Sequence, residues 1–87
     1  MRYTVTWKPS LKQQLANIWL AADDKKAVTE ATDAIDKLLR VAPQSVGESR
    51  SGMIRIIIVR PLAAAYEVFE DDRRVEVLAI RHVLKRE

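Results

Sequence analysis

Hydrophobic and polar positions recur with two different periods along this chain, and each period predicts one kind of element. Residues 2–7, RYTVTW, alternate strictly, with Tyr3, Val5 and Trp7 on one side and Arg2, Thr4 and Thr6 on the other. A period of two sets one side against a core and the other in solvent, which predicts a half-buried strand. From Ser10 the period lengthens, and Leu11, Leu15, Ile18, Trp19 and Ala22 share one face of a helix. Ser10 with Gln13 three residues later has the form of a capping box. Asp23 and Asp24 interrupt the stripe and place carboxylates where they can cap the next helix. That second helix is the most regular element: Val28, Ala31, Ile35, Leu38, Leu39 and Ala42 form one face. Asp33 with Lys37, and Asp36 with Arg40, stand as acid-before-base pairs on its outer side, and Pro43 ends it.

Gly, Ser and Pro concentrate in residues 43–52, PQSVGESRSG, which predicts a loop. Three strands follow. Residues 54–59 are nearly all β-branched, which suggests a strand covered on both faces; 63–70 and 75–83 are separated by a charged turn, DDRR. The order β-α-α-β-β-β is that of an α+β domain spanning residues 1–87, with a helical hairpin on one face of a small, largely antiparallel four-stranded sheet. If Leu78 and Ile80 face the helices, uninterrupted alternation puts Arg81 on the open face. Val75, Val77, Ala79, Ala63, Ala65, Ile57, Val59 and Arg55 are then expected beside it. An apolar strip edged with arginine is the composition of a protein-binding groove. Tyr3, Trp7, Trp19 and Tyr66 recur with other apolar residues and are expected in the core.

Composition narrows the chemistry. Among 87 residues there is no cysteine, which excludes thiol catalysis, disulfide scaffolds and cysteine-ligated zinc. The acids of EDDRR (70–74) have no histidine near them and read as a charged turn, so neither a metal nor a cofactor is expected. The apolar run IIIV (56–59) is too short to span a bilayer, and the N-terminus lacks a signal-peptide core; a cytoplasmic location is expected. The net charge of +3 is modest, but arginines dominate the cations from Arg50 onwards and end in the basic run IRHVLKRE (80–87).

The opening YTVTWKPSLKQQLANIWLAA, the helix end AIDKLLRVAP, the loop VGESRSG and the strand pair YEVFEDDRRVEVLAI together resemble the RelE/ParE superfamily. These are the toxins of bacterial type II toxin–antitoxin modules, and the likeness extends over essentially the whole chain. It implies an antitoxin partner, expected to be acidic, whose tail wraps the toxin by strand addition and an apolar helix. It also implies one of two targets: mRNA on the translating ribosome, cleaved without a metal, or DNA gyrase, inhibited without catalysis. A toxin fold kept only as a binding module is a third reading.

Cleavage by the RNA's own 2′-hydroxyl needs a proton acceptor, cations for the phosphorane charge and a proton donor at one phosphate. Mapped onto this chain, the resemblance points to Glu48 as base, Arg55 and Arg81 as cations and His82 as a proton-moving group. Arg50, Arg60, Lys85 and Arg86 are candidates for substrate or partner contacts. Nuclease members usually carry an arginine three residues before the tyrosine of the third strand; here that residue is Ala63, before Tyr66.

Overall fold

Strict alternation at the N-terminus produces β1 (Thr4–Trp7), with Val5 buried and Thr4 and Thr6 exposed. The computed structural model describes residues 2–83, apart from the side chains of Arg50 and Ser51. α1 (Ser10–Ala21) follows, and the expected capping box does not form. Pro9 holds the cap position at φ −56° and ψ −35°, already helical, and no side chain bonds the helix start. A ring-locked φ starts the turn one residue early, so Ser10 lies inside the helix and Gln13 donates to Asn17 Oδ1 at 3.1 Å instead. The second cap is as expected: Asp24 Oδ1 accepts the Ala27 amide at 3.0 Å and opens α2 (Lys25–Val41).

Val28, Ala31, Ile35 and Leu39 are the buried face of α2, while Leu38 falls at its margin and is 39% exposed. Arg40 Nε donates to Asp36 Oδ2 at 2.7 Å, and the Trp7 indole donates to Asp36 Oδ1 at 3.3 Å, tying α2 to β1. No helix among the described residues is long and apolar enough to cross a membrane.

The remaining strands are β2 (Glu48–Ser51), β3 (Ile54–Val59), β4 (Leu62–Phe69) and β5 (Arg74–His82), giving a five-stranded sheet in the order β1-β5-β4-β3-β2. The sheet therefore has one strand more than expected. β2 lies within the segment read as loop: ESRS has no apolar alternation, and its strand character comes from backbone pairing with the edge of β3. Gly52, at φ +56°, makes the turn between them. β2 to β5 are antiparallel, and β1 joins β5 in parallel, a pairing that the two helices make possible as the crossover. Both helices pack on one face, over a core that includes Ile35, Leu39, Leu62, Tyr66, Val75 and Val77.

β5 departs from strict alternation. Val77 pairs with Tyr66 and Ala79 with Ala65, so Leu78 has no opposite residue. This β-bulge reverses the parity of the strand partway along. Val75 and Val77 face the helices before it and Ile80 after it, while Ala79 and Arg81 face away. The expected open face is corrected accordingly: Val75, Val77 and Ile57 are buried, and Val59 packs against the core. Nor is β3 covered on both faces, since Ile58 is 53% exposed.

Glu70, at the β4–β5 turn, joins three parts of the chain. Its Oε2 accepts from Tyr3 Oη at 2.8 Å and from Gln44 Nε2 at 2.6 Å. These bonds favour the ionised carboxylate, first that from Gln44, and hold its pKa below the ordinary 4.5. The Tyr3 phenol is raised, mainly by the same bond to Glu70.

Deleting Leu78 should remove the bulge and join Val77 directly to Ala79 in a regular ladder, leaving Ile80 inward and Arg81 outward. It should cost less stability in denaturant unfolding than Ile80→Ala, for which about 2–5 kcal/mol is expected. A depressed carboxylate pKa contributes stability that is complete above the unfolded value and lost as pH falls through the folded one. The Tm advantage of the wild type over Glu70→Gln should therefore be small but measurable at neutral pH, and should vanish as the solution is acidified below 4.5.

Candidate functional site: the open face of the sheet

Strand register sorts the outward side chains into rows. Ile58, Ala63 and Arg81 form one row across β3, β4 and β5; Glu48, Ile56, Ala65 and Ala79 form the next, which reaches β2; Ile54, Glu67 and Glu76 form a third. The alanines are short, so they floor a trough of about 460 Å³ between Ile56 and Ile58 on one side and Arg81 and Val83 on the other.

Two of the four predicted catalytic residues stand on this face. Arg81 is exposed beside Ala63, as expected. Glu48 lies on β2, not in a loop, three strand spacings from β5, or about 14 Å. The other two stand on the opposite face. His82 pairs with Leu62, whose side chain is in the core, and helps line a cavity of about 390 Å³ with Asp23, Asp24, Arg60 and Pro61. Arg81 and His82 are neighbours in sequence and separated by the thickness of the sheet. Arg55 pairs with the fully buried Tyr66, so its expected place on the open face is also corrected. Lys85 and Arg86 lie outside the described residues, as does the side chain of Arg50. Among the described residues no three His, Asp or Glu side chains gather as metal ligands would.

Arg55 and Tyr66 have a visible task on their own face. Arg55 Nη2 donates to the carbonyls of Gln44 at 2.8 Å and Gly47 at 2.7 Å, and Tyr66 Oη donates to the Pro43 carbonyl at 2.7 Å. Together they satisfy three carbonyls of the loop between α2 and β2 and so register β2 against β3. Burial raises the Tyr66 phenol, and the bond and charge of Arg55 offset part of that rise. Gly47 is required here because a β-carbon would run into Tyr66 Oη.

Sequence reasoning passed over Glu67 and Glu76. The β4 alternation that exposes Ala63 and Ala65 continues to Glu67, so that signal was present. Glu76 was hidden, because the bulge at Leu78 reverses the parity that would have revealed it.

No protein-family model matches the chain, and no curated protein matches it. Solved structures do match its fold. A chain of the RelBE2 toxin–antitoxin complex of Mycobacterium tuberculosis superposes with a TM-score of 0.78 at 14% identity, covering 94% of this chain and 92% of that one. The isolated E. coli RelE toxin gives 0.64 at 12% identity, covering 98% and 88%. A chain of the chromosomal ParDE system of P. aeruginosa gives 0.67 at 19% identity, covering 95% and 98%. The chain therefore has the RelE/ParE toxin fold over essentially its full length.

Tyr66→Phe, which leaves the Pro43 carbonyl without its donor, should cost about 1–3 kcal/mol in denaturant unfolding. Gly47→Ala should cost about 1–3 kcal/mol by overpacking. Its cost should fall in the Tyr66→Phe background, because the first atom in its way is gone; a double-mutant cycle reads the coupling.

Proposed function

We propose that this chain is the toxin half of a toxin–antitoxin pair and that it acts by binding its target, not by cutting RNA. What supports the first part is the fold, shared over nearly the whole chain with RelBE, RelE and ParDE structures. What supports the second is the division of the candidate catalytic groups between two faces. Arg55 and His82 point away from Arg81, and Ala63 stands beside Arg81 on the open face at the position where nucleases usually place an arginine. In-line attack by a 2′-hydroxyl needs acid, base and cations within hydrogen-bond reach of one phosphate. The apolar trough fits a protein surface, and by the ParE resemblance the target is DNA gyrase in the cytoplasm. The antitoxin that restrains this toxin is acidic, matching the +3 charge of the chain.

Ribosome-dependent mRNA cleavage is the second reading. Glu48 and Arg81 favour it, since both stand on the open face.

Expressed without an antitoxin in bacteria, the chain should arrest growth with DNA-damage signalling while protein synthesis continues. Arg81→Glu, folded by circular dichroism, should relieve the arrest. Abrupt loss of translation without DNA damage would overturn the binding reading, and harmless expression of the folded wild type would overturn toxicity itself.

A further inference from the structure

The outer side of α1 is short of charge. Lys12 is the one ionisable residue of this helix, and it shares an outward stripe with Ala16, Trp19 and Leu20. Trp19, expected in the core, is 40% exposed, and Leu20 is 66% exposed. Beside the stripe, α2 forms the second wall of a cleft of about 440 Å³, with Leu15 and the buried Val28 at its base. Thr29 and Thr32 also line it, but their hydroxyls donate to the Lys25 and Val28 carbonyls at 3.2 Å and 2.8 Å and are spent within α2.

The two ends of the cleft differ. Trp19 stands at the helix turn, where Lys25 Nζ lies 5.4 Å from its ring centroid and donates to the Ala22 carbonyl at 3.2 Å. Lys12 and Asp33 stand at the far end, on opposite walls. Among the described residues neither of these side chains has an ion pair or hydrogen bond, and the Trp19 indole N–H has no acceptor.

Trp19 and Lys12 are seven residues apart, about 10 Å along the helix. A second copy turned end for end, about a two-fold axis passing Ala16, sets each indole over the other copy's Lys12 and Asp33. An ammonium then meets the ring face and a carboxylate meets the N–H. Ala16 is exposed and short, so two α1 helices can approach closely at the axis. What one end of the cleft offers, the other end of the same cleft accepts, which is the condition for an isologous interface. An extended segment would gain less here, because the backbone groups along both helices are already paired within them.

We propose that two copies of this chain pair through the outer side of the α1–α2 hairpin, antiparallel about Ala16, with Trp19 of each seated between Lys12 and Asp33 of the other. The hairpin and the alanine trough lie on opposite faces of the sheet, so the pair keeps both open faces outward whatever they bind. α1 is only about 18 Å long, so the contact is small and the dimer forms reversibly with concentration.

Sedimentation of the folded protein across a concentration series should show a monomer–dimer equilibrium. Trp19→Ala and Asp33→Lys should each weaken it about tenfold or more. Ala16→Arg should abolish it, and Ala65→Arg, on the open face, should leave it unchanged, each variant being folded by circular dichroism. The chain has no cysteine, so a single introduced thiol reports the axis. Ala16→Cys should give a disulfide-linked dimer on mild oxidation, since the bond needs Cα atoms within about 7 Å. Met53→Cys, exposed at the turn between β2 and β3, should not. A monomer at every concentration, a dimer that survives Ala16→Arg or is lost with Ala65→Arg, or equal crosslinking from positions 16 and 53 would each overturn the proposal. Growth arrest does not enter these assays, so failure here is separable from failure of the toxin reading.

Discussion

Leu78 has no partner in the β4–β5 ladder, and the outer surface of the protein follows from that one extra residue. The apolar positions of β5 before it, Val75 and Val77, and the one after it, Ile80, differ in parity, yet all three must reach the same core. A β-bulge resolves the conflict by adding a residue to one strand and not to its partner. Ala79 and Arg81 consequently face outwards next to Ala65 and Ala63, and the trough exists because four short or outward side chains meet there.

A second constraint works on the other side of the sheet. The loop leaving α2 has carbonyls that no helix or strand satisfies, and Arg55 and Tyr66 supply the donors. An arginine held by two backbone carbonyls is engaged with its own fold and turned away from the face where Arg81 stands. The two constraints together separate groups that a nuclease would need side by side. They leave a face whose character is apolar with charged ends, closer to the anatomy of a protein interface than of a phosphate site.

Much of the fold was legible because periodicity is a direct record of burial. The α2 stripe, the Asp24 cap, the alternation of β1 and the β4–β5 turn all follow from side-chain patterns, and the structure has them where the pattern puts them, except that Leu38 lies at the exposed margin of the stripe. β2 was not legible, since ESRS pairs through its backbone and its side chains follow no burial rhythm. The bulge was not legible either: VEVLAIRH reads as one unbroken alternation, and only contact with β4 shows that Leu78 is extra. Arg81 was placed on the correct face although that parity argument fails for Val75 and Val77. Arg55 was misplaced because IRIIIV is apolar at every position but one, so either face could be the buried one. The RelE/ParE likeness, by contrast, was visible in the order and spacing of elements even though identity to the matching structures is only 12–19%.

The division of groups between the two faces is the centre of this account, and one measurement bears on it most directly. A purified translation reaction programmed with a defined mRNA and supplied with the folded protein, followed by mapping of RNA ends, asks whether the open face cuts. The account predicts intact mRNA. Ribosome-dependent cuts that disappear with Arg81→Ala would contradict it, and would mean that Arg81 and Glu48 suffice on this face without Arg55 or His82.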